Sequence, residues 1–458
     1  MGCQTRAVDA SMDRPAAPPP AESDSTASAE AGTRSRRSRG QPGCYALPMP
    51  PDRKGTFGAL RIPDFRTLFS GTVLSFTAFF MSTLVQGYVA FELEGLNVAV
   101  GTAVFGQGLG MMLIGPIGGA YADRLPKRLV IAVGQAISAL SLAVLAVRYA
   151  DGTITVPNLA FNSFIMGSAF AFIGPARQAL VVDLVPDSLR GNAMTLTNVS
   201  NTTSRLLGPA VAGTFLRFES LGPAAAYWTM AGLYLASAML LGLLPRSVVR
   251  ENVGETHVLQ DLREGLAYAW HHVQLRHLLI FFVSVMLVGF PHVALMNGWL
   301  ETEVGRPRED VAIVAIFSAI GAFTASLSLA RFADAAIATR IYSWMAIGFG
   351  VTLIVFALAP NYETGLAAIV LVGATSGGFH ALNGAVTARV TEVAFMGRVM
   401  SLNFLAFAGF SLISPVTGGL GDRFGVNNVL LTMGVIVLLL SLVMSVVVRR
   451  DSEAIASS

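Results

Sequence analysis

The chain has 458 residues, 53% of them hydrophobic and only 13% charged, with a formal net charge of +3. The charged share is about half that of soluble proteins and the hydrophobic share is at the top of their range, which excludes an ordinary soluble domain. A small positive balance in such a chain bears on membrane topology, so no nucleic-acid partner is expected.

Residues 1–56 are rich in Pro, Ala, Ser and Arg, contain RSRRSRG, and carry both cysteines, Cys3 and Cys44. They lack the apolar core of a signal peptide. Arg6 stands where a myristoylation signal needs Ser or Thr. The expectation is a solvated, disordered cytoplasmic tail, favoured over a basic arm on anionic lipid. With no cysteine beyond it, no disulfide staples the rest.

Twelve runs follow that are long and apolar enough to cross a bilayer, each of about 20 residues. Their limits are 68–91, 97–121, 129–149, 156–181, 193–217, 224–244, 276–299, 311–332, 341–359, 364–387, 399–420 and 427–448. The expected fold is all-α and integral to the membrane, with twelve transmembrane helices in two pseudo-symmetric six-helix bundles. The bundles span 57–245 and 276–450, joined by a linker over 246–275, and 451–458 form a second tail.

The link between the second and third runs is GGAYADRLPKR, residues 118–128. Arg124, Lys127 and Arg128 are the bases that hold a loop in the cytoplasm, whereas Asp123 has no topological purpose. Links at the same face carry Arg190, Arg246, Arg250, Arg263, Arg276, Arg340, Arg398, Arg449 and Arg450. The opposite face carries Arg148, Arg217, Arg306, Arg308 and Arg423. This asymmetry predicts a multi-pass protein of the cell (inner) membrane with both termini cytoplasmic.

Within the linker, Val258, Leu259, Leu262, Leu266, Trp270 and Val273 recur at helical spacing, predicting an amphipathic helix on the cytoplasmic interface. His271, His272 and His277 cluster at its end, but neighbouring His271 and His272 point to different faces and have no Cys or acid partner at ligand spacing. No metal site is expected there.

The two halves echo each other at an offset of 206 residues, 191 onto 397. Gly191, Met194, Leu196, Pro209 and Gly213 fall on Gly397, Met400, Leu402, Pro415 and Gly419. A weaker echo sets Phe332-Ala333-Asp334 on Tyr121-Ala122-Asp123. Several matches in order, each near an expected loop, point to a duplicated six-span unit.

The 118–128 string resembles the loop signature of the major facilitator superfamily, Gly-x-x-x-Asp-Arg-x-Gly-Arg-Arg, on Gly119, Asp123, Arg124, Lys127 and Arg128. It departs at Pro126, where Gly is usual, and at Lys127. Three further segments resemble the enterobactin-exporter-like branch, also called transmembrane secretion effectors: LRIPDFRTLFSGTVLS (60–75), GPARQALVVDLVPDSLRGNAMTLTNVSNTTSRLLGPAVAG (174–213) and DLREGLAYAW (261–270). The resemblance implies alternating access and export of small amphipathic molecules, siderophores or drugs, driven by proton influx. It implies that Asp123 pairs with the start of span 11, near Arg398, to close the cytoplasmic side. Gly208-Pro209 and Gly213 match part of the superfamily's antiporter signature in span 5, with Ser204 and Ala212 in place of two glycines. A Gly-Pro pair inside a span predicts a bend and close packing. The Arg of the superfamily's span 4 signature is missing, with Asn162 or Ser163 in that region.

Ionisable groups inside spans are costly and mark functional positions. Arg205 lies mid-span, after Asn201, and reads either as the charge for an anionic substrate group or proton site, or as a structural pair. Arg177 and Asp183 fall near the cytoplasmic end of span 4, as gating residues or interfacial anchors. Glu92 and Glu301 end spans as solvated groups or proton carriers. His292 and His380, with Asn383 near the latter, read as proton relays or packing residues. No Walker loop or catalytic constellation occurs, so neither an enzyme nor a cofactor is expected. The expected partners are a small-molecule substrate, protons and the lipid bilayer, with the protein a monomer. A membrane scaffold, a lipid flippase or a metabolite importer are the competing readings.

Overall fold

The computed structural model describes residues 57–122, 125–218, 221–244, 258–332, 335, 337–392 and 395–457. Within them the protein is all-helical. Helices α1 (Pro63–Glu94), α2 (Asn97–Ala122), α3 (Lys127–Ala150), α4 (Val156–Leu184), α5 (Arg190–Arg217) and α6 (Gly222–Gly242) make up the first half. A shorter α7 (Val258–His271) leads to α8 (Val273–Gly289), α9 (Met296–Gly298), α10 (Val311–Ala330), α11 (Ala338–Ala357), α12 (Tyr362–Arg389), α13 (Met396–Phe424) and α14 (Val426–Ser457). Among the described residues, eleven helical stretches are long and apolar enough to cross a membrane.

The fifth expected run is the one that falls outside that set. α5 has the length, 28 residues, but Asn198, Asn201, Thr202, Thr203, Ser204 and Arg205 lower its apolar character. Its threonines turn their hydroxyls back on the helix: Thr197 donates to the Ala193 carbonyl and Thr202 to that of Asn198, at 2.9 and 3.0 Å. Such back-bonding satisfies the hydroxyl internally and lets the helix persist in an apolar setting. α5 also runs unbroken through Pro209.

The seventh expected run, by contrast, is not one regular helix. α8 ends at Gly289, a 3₁₀ stretch covers Phe290–Leu295, and after α9 a π turn covers Trp299–Glu303. Pro291 lacks the N–H that a continuing α-helix requires, which accounts for the change of winding. Elsewhere the ends follow local chemistry. Pro63 opens α1, and Gly95 closes it at φ 66°, a left-handed conformation suited to glycine. Asn361 caps α12 by accepting from the Thr364 N–H at 3.0 Å.

Close helix packing rests on glycine. A Cβ on Gly106 of α2 would strike the Ala160 carbonyl oxygen of α4, one on Gly110 that of Phe164, and one on Gly167 that of Gln107. The same seam recurs between α10 and α12, where Gly321 faces the Val370 carbonyl and Gly373 that of Ser318. Small residues allow this backbone approach, which drives helix association where no hydrophobic effect operates.

The first six helices meet the later ones mainly through α2 against α13 and α5 against α10. The C-terminal ends of α1, α3, α5, α11 and α13 and the N-terminal ends of α2, α4, α6, α10, α12 and α14 mark one end of the molecule, here the far end, with the opposite helix ends the near end. α7 packs against the near-end start of α13, with Tyr268 stacked on Phe395 at 4.1 Å and its Oη accepting from the Glu392 N–H. Leu266, Trp270 and Val273 are exposed, so the described part of the apolar stripe faces away from the protein.

The α2–α4 seam yields a direct test. Gly106→Ala should lower stability by about 1–3 kcal/mol, the usual cost of overpacking. Gly232→Ala, where a Cβ meets nothing within 4 Å, should leave the melting temperature of purified protein nearly unchanged. Equal melting temperatures for the two variants would contradict the seam.

Candidate functional site

Arg205 sits in the middle of α5, held there by a polar and glycine seam with α1. The Thr77 hydroxyl donates to Ser204 Oγ at 3.3 Å, and Gly208 lies against the backbone of Phe80 and Met81. Gly213, one turn on, faces Ala312 of α10. The glycines of the antiporter-like string thus serve close approach, Gly208 within the first half and Gly213 across to the second. The Arg205 guanidinium lies over the Phe80 ring at 5.2 Å, and it makes no ion pair among the described residues. Asn201, half-buried, shares its face one turn earlier.

His380 of α12 is within electrostatic reach of Arg205 from the other half. Its ring is 6.2 Å from Phe282 and 5.8 Å from Phe407, which in turn meets Phe410 edge-on at 5.1 Å. Arg205 over Phe80 on the first half and His380 with its neighbouring rings on the second are therefore brought together. That combination suits a ligand with an apolar body and an anionic group.

Arg177 is placed differently from the interfacial position expected of it. It is 5% exposed, inside the first half rather than at its surface. Its Nη2 donates to Ser75 Oγ at 2.9 Å and its guanidinium lies over Phe76 at 4.6 Å. Asp183 is not its partner: that carboxylate pairs with Lys127 at 2.5 Å, joining α4 to α3 within one half. Arg128 donates to the carbonyls of Gly242 and Leu244, so a cation sits on the C-terminal end of α6 where the helix dipole favours it. Gly119 lies in the last turn of α2. Asp123, Arg124 and Asp334 lie outside the described residues. Arg398 pairs with Glu264 of α7 at 3.2 Å.

Asn162 and Ser163, where the superfamily's span 4 arginine is missing, belong to a neutral network. Ser163 donates to Gln86 Oε1 and Ser141 to Asn162 Oδ1, each at 2.7 Å. Glu92 is exposed at the far end and accepts from Tyr149 Oη at 3.1 Å. Glu301 lies 3.8 Å from Arg308. His292 is buried, with Nδ1 2.7 Å from the Gly289 carbonyl and its ring edge-on to Phe349. Asn383 is buried and accepts from Tyr342 Oη at 3.4 Å. His277 pairs with Asp451 at 2.7 Å, and no group of three or more metal-ligating side chains occurs among the described residues.

A residue the sequence reading passed over closes the far end. Asp422, near the end of α13, accepts from the Asn97 N–H and Nδ2 at 2.8 Å and from the Val98 N–H at 2.9 Å. It thereby caps the N-terminus of α2 across the two halves. The signal was present: Gly418-x-x-x-Asp422-Arg423-x-Gly425 repeats the Gly-x-x-x-Asp-Arg-x-Gly spacing. Two more contacts cross at this end, Tyr88 Oη to Glu309 at 3.1 Å and Arg217 to Asp310 at 3.6 Å. Along α2 the close approach to α13 runs from Gly101, against Ser414, to Gly108, against Ala408, whereas a Cβ on Gly115, two turns farther toward the near end, would meet nothing within 4 Å.

The family described as "Transmembrane secretion effector" matches residues 54–458. The chain is 25% identical over 348 residues to the "Multidrug efflux pump Tap" of Mycolicibacterium fortuitum, covering 71% of this chain and 81% of that protein. It is 22% identical over 208 residues to the "Uncharacterized MFS-type transporter YfiS" of Bacillus subtilis (strain 168), covering 44% of this chain and 48% of that one, about half its length. A solved structure of the nucleoside transporter NupG shares the fold at a TM-score of 0.68 and 15% identity, covering 84% of this chain and 99% of that one. The protein is therefore a multi-pass membrane transporter of the major facilitator superfamily, and belongs to its transmembrane secretion effector family.

Proposed function

We propose that this transporter exports small amphipathic molecules bearing an anionic group, by alternating access coupled to proton entry. In this reading α5 is a twelfth span, the two six-helix halves rock about Arg205 and His380, and the near end, with both termini, is cytoplasmic. The carrying observation is that Asp422, Glu309 and Asp310 join the halves at the far end, while the close α2–α13 approach at Gly101 and Gly108 is gone by Gly115. This is the asymmetry of a carrier open toward the cytoplasm. The resemblance to a multidrug efflux pump supports export.

Arg205 is the recognition charge in this scheme. A guanidinium at the membrane centre costs at least about 2.5–3.5 kcal/mol on insertion scales. It retains its charge at all accessible pH, so it calls for an anionic partner at some stage of the cycle. His380 and the exposed Glu92 are the candidate proton carriers, since the span 4 arginine of the superfamily is replaced by a neutral network.

Two measurements test this. In proteoliposomes, an acidic amphiphile found by screening siderophores, macrolides and dyes should drive substrate-dependent proton flux. Arg205→Lys should weaken its transport moderately, and Arg205→Gln by about tenfold or more, as for a lost hydrogen bond to a charge. Normal transport by both variants, or failure of both to insert, removes Arg205 from recognition. Spin labels at positions 124 and 340 should change separation with substrate or pH, and fixed distances would end the rocking scheme. Asp422→Ala should shift the equilibrium away from far-end closure by about 0.5–2 kcal/mol, the worth of a helix cap. Labels at Leu221 and Leu358, both exposed, would read that shift as a longer distance.

A further inference from the structure

The recognition scheme leaves Arg177 without a role. Its side chain is enclosed by α1, α3, α4 and α6, all from the first half. A guanidinium has five N–H donors. Here one goes to Ser75 Oγ, whose own hydroxyl is directed to the Thr72 carbonyl at 3.1 Å. Arg177 Nε is buried with no acceptor. No carboxylate pairs with Arg177 among the described residues, so its charge is offset only by the face of Phe76.

Beside the guanidinium is a cavity about as large as one water molecule or halide ion. Ser75, Ser138 and Tyr234 bring hydroxyls to its wall, those of Ser75 and Ser138 directed to the Thr72 and Gly134 carbonyls, and Phe79, Phe170 and Ile173 supply the apolar remainder. Tyr234 is within electrostatic reach of Arg177. A permanent cation, the Tyr234 hydroxyl and aromatic groups, with no acid, form the wall of a site for a small monovalent anion. Water alone would satisfy Nε but leave the charge uncompensated, and an anion does both. The two intramembrane cations also stand on one face of α1, Arg177 over Phe76 and Arg205 over Phe80, four residues apart.

We propose that the Arg177 cavity is an anion site inside the first half, separate from the Arg205 region, that takes one halide ion or the carboxylate head of an organic acid. Its occupant neutralises Arg177 and ties α1, α3, α4 and α6 together. The proposal does not depend on the direction of transport or on the substrate.

The test uses the full-length protein in lipid nanodiscs and reads its melting temperature. Sodium chloride and, separately, sodium formate are titrated against sodium isethionate, which has no carboxylate, at constant ionic strength. Wild type should gain stability saturably, with chloride if the occupant is a halide and with formate alone if the site takes carboxylates. The gain should vanish in Arg177→Gln and persist in Arg205→Gln. Tyr234→Phe should weaken the apparent affinity by about tenfold, as for one hydrogen bond lost to a charge. If Arg177→Gln does not fold, Tyr234→Phe decides. No saturable gain with either salt overturns the site, as does unchanged affinity in Tyr234→Phe. A gain lost in Arg205→Gln but kept in Arg177→Gln also overturns it, while leaving the recognition role of Arg205 intact.

Discussion

Backbone contact between α2 and α4, repeated between α10 and α12, is the constraint on which the rest of the architecture depends. In a bilayer apolar side chains gain nothing by leaving lipid, so helices hold together by close packing and internal polar bonds. Gly106, Gly110 and Gly167 bring the first pair to backbone distance, and Gly321 and Gly373 do the same for the second. Each pair then behaves as a stiff unit. α2 and α10 are also the helices that reach across to α13 and α5. In the proposed rocking scheme, motion of the halves falls on these two crossing interfaces, where far-end contacts are polar, as with Asp422 on the start of α2.

Arg177 and Arg205 both rest on phenylalanines of α1, and their surroundings differ in a way that separates their chemistry. Arg205 is half-buried and has a histidine of the other half within electrostatic reach. Arg177 is enclosed by helices of one half and has only hydroxyls and rings around it. A charge at the meeting of two moving bodies sees its environment change through a cycle. A charge sealed within one body does not, and it needs compensation that travels with it.

Much of the fold was legible because a membrane span is a long local signal. Apolar runs, glycine punctuation and the offset echo of Gly191 and Pro209 on Gly397 and Pro415 carry it without tertiary information. The site was legible only in part. Arg205 stood out as a charge in an apolar run, whereas the burial of Arg177 depends on which side of α4 faces α1 and α6, which periodicity alone does not tell when both sides are apolar. Asp422 was missed because it lies at a helix end, where acids are ordinarily solvated. Its importance comes from α2 arriving there from the other half. The broken winding after Gly289 was masked for a similar reason, since hydropathy registers composition and is blind to the N–H that Pro291 lacks.

The composition of α5 bears on how this chain is built. A helix carrying Arg205, three asparagines and a run of hydroxyls partitions poorly into lipid as it leaves the translocon. Its polar face needs α1, which supplies Thr77, Phe80 and the backbone seat at Gly208. With α5 a span as proposed, α1 precedes it along the chain, so the order of helices would let the least apolar segment enter the membrane onto protein already there.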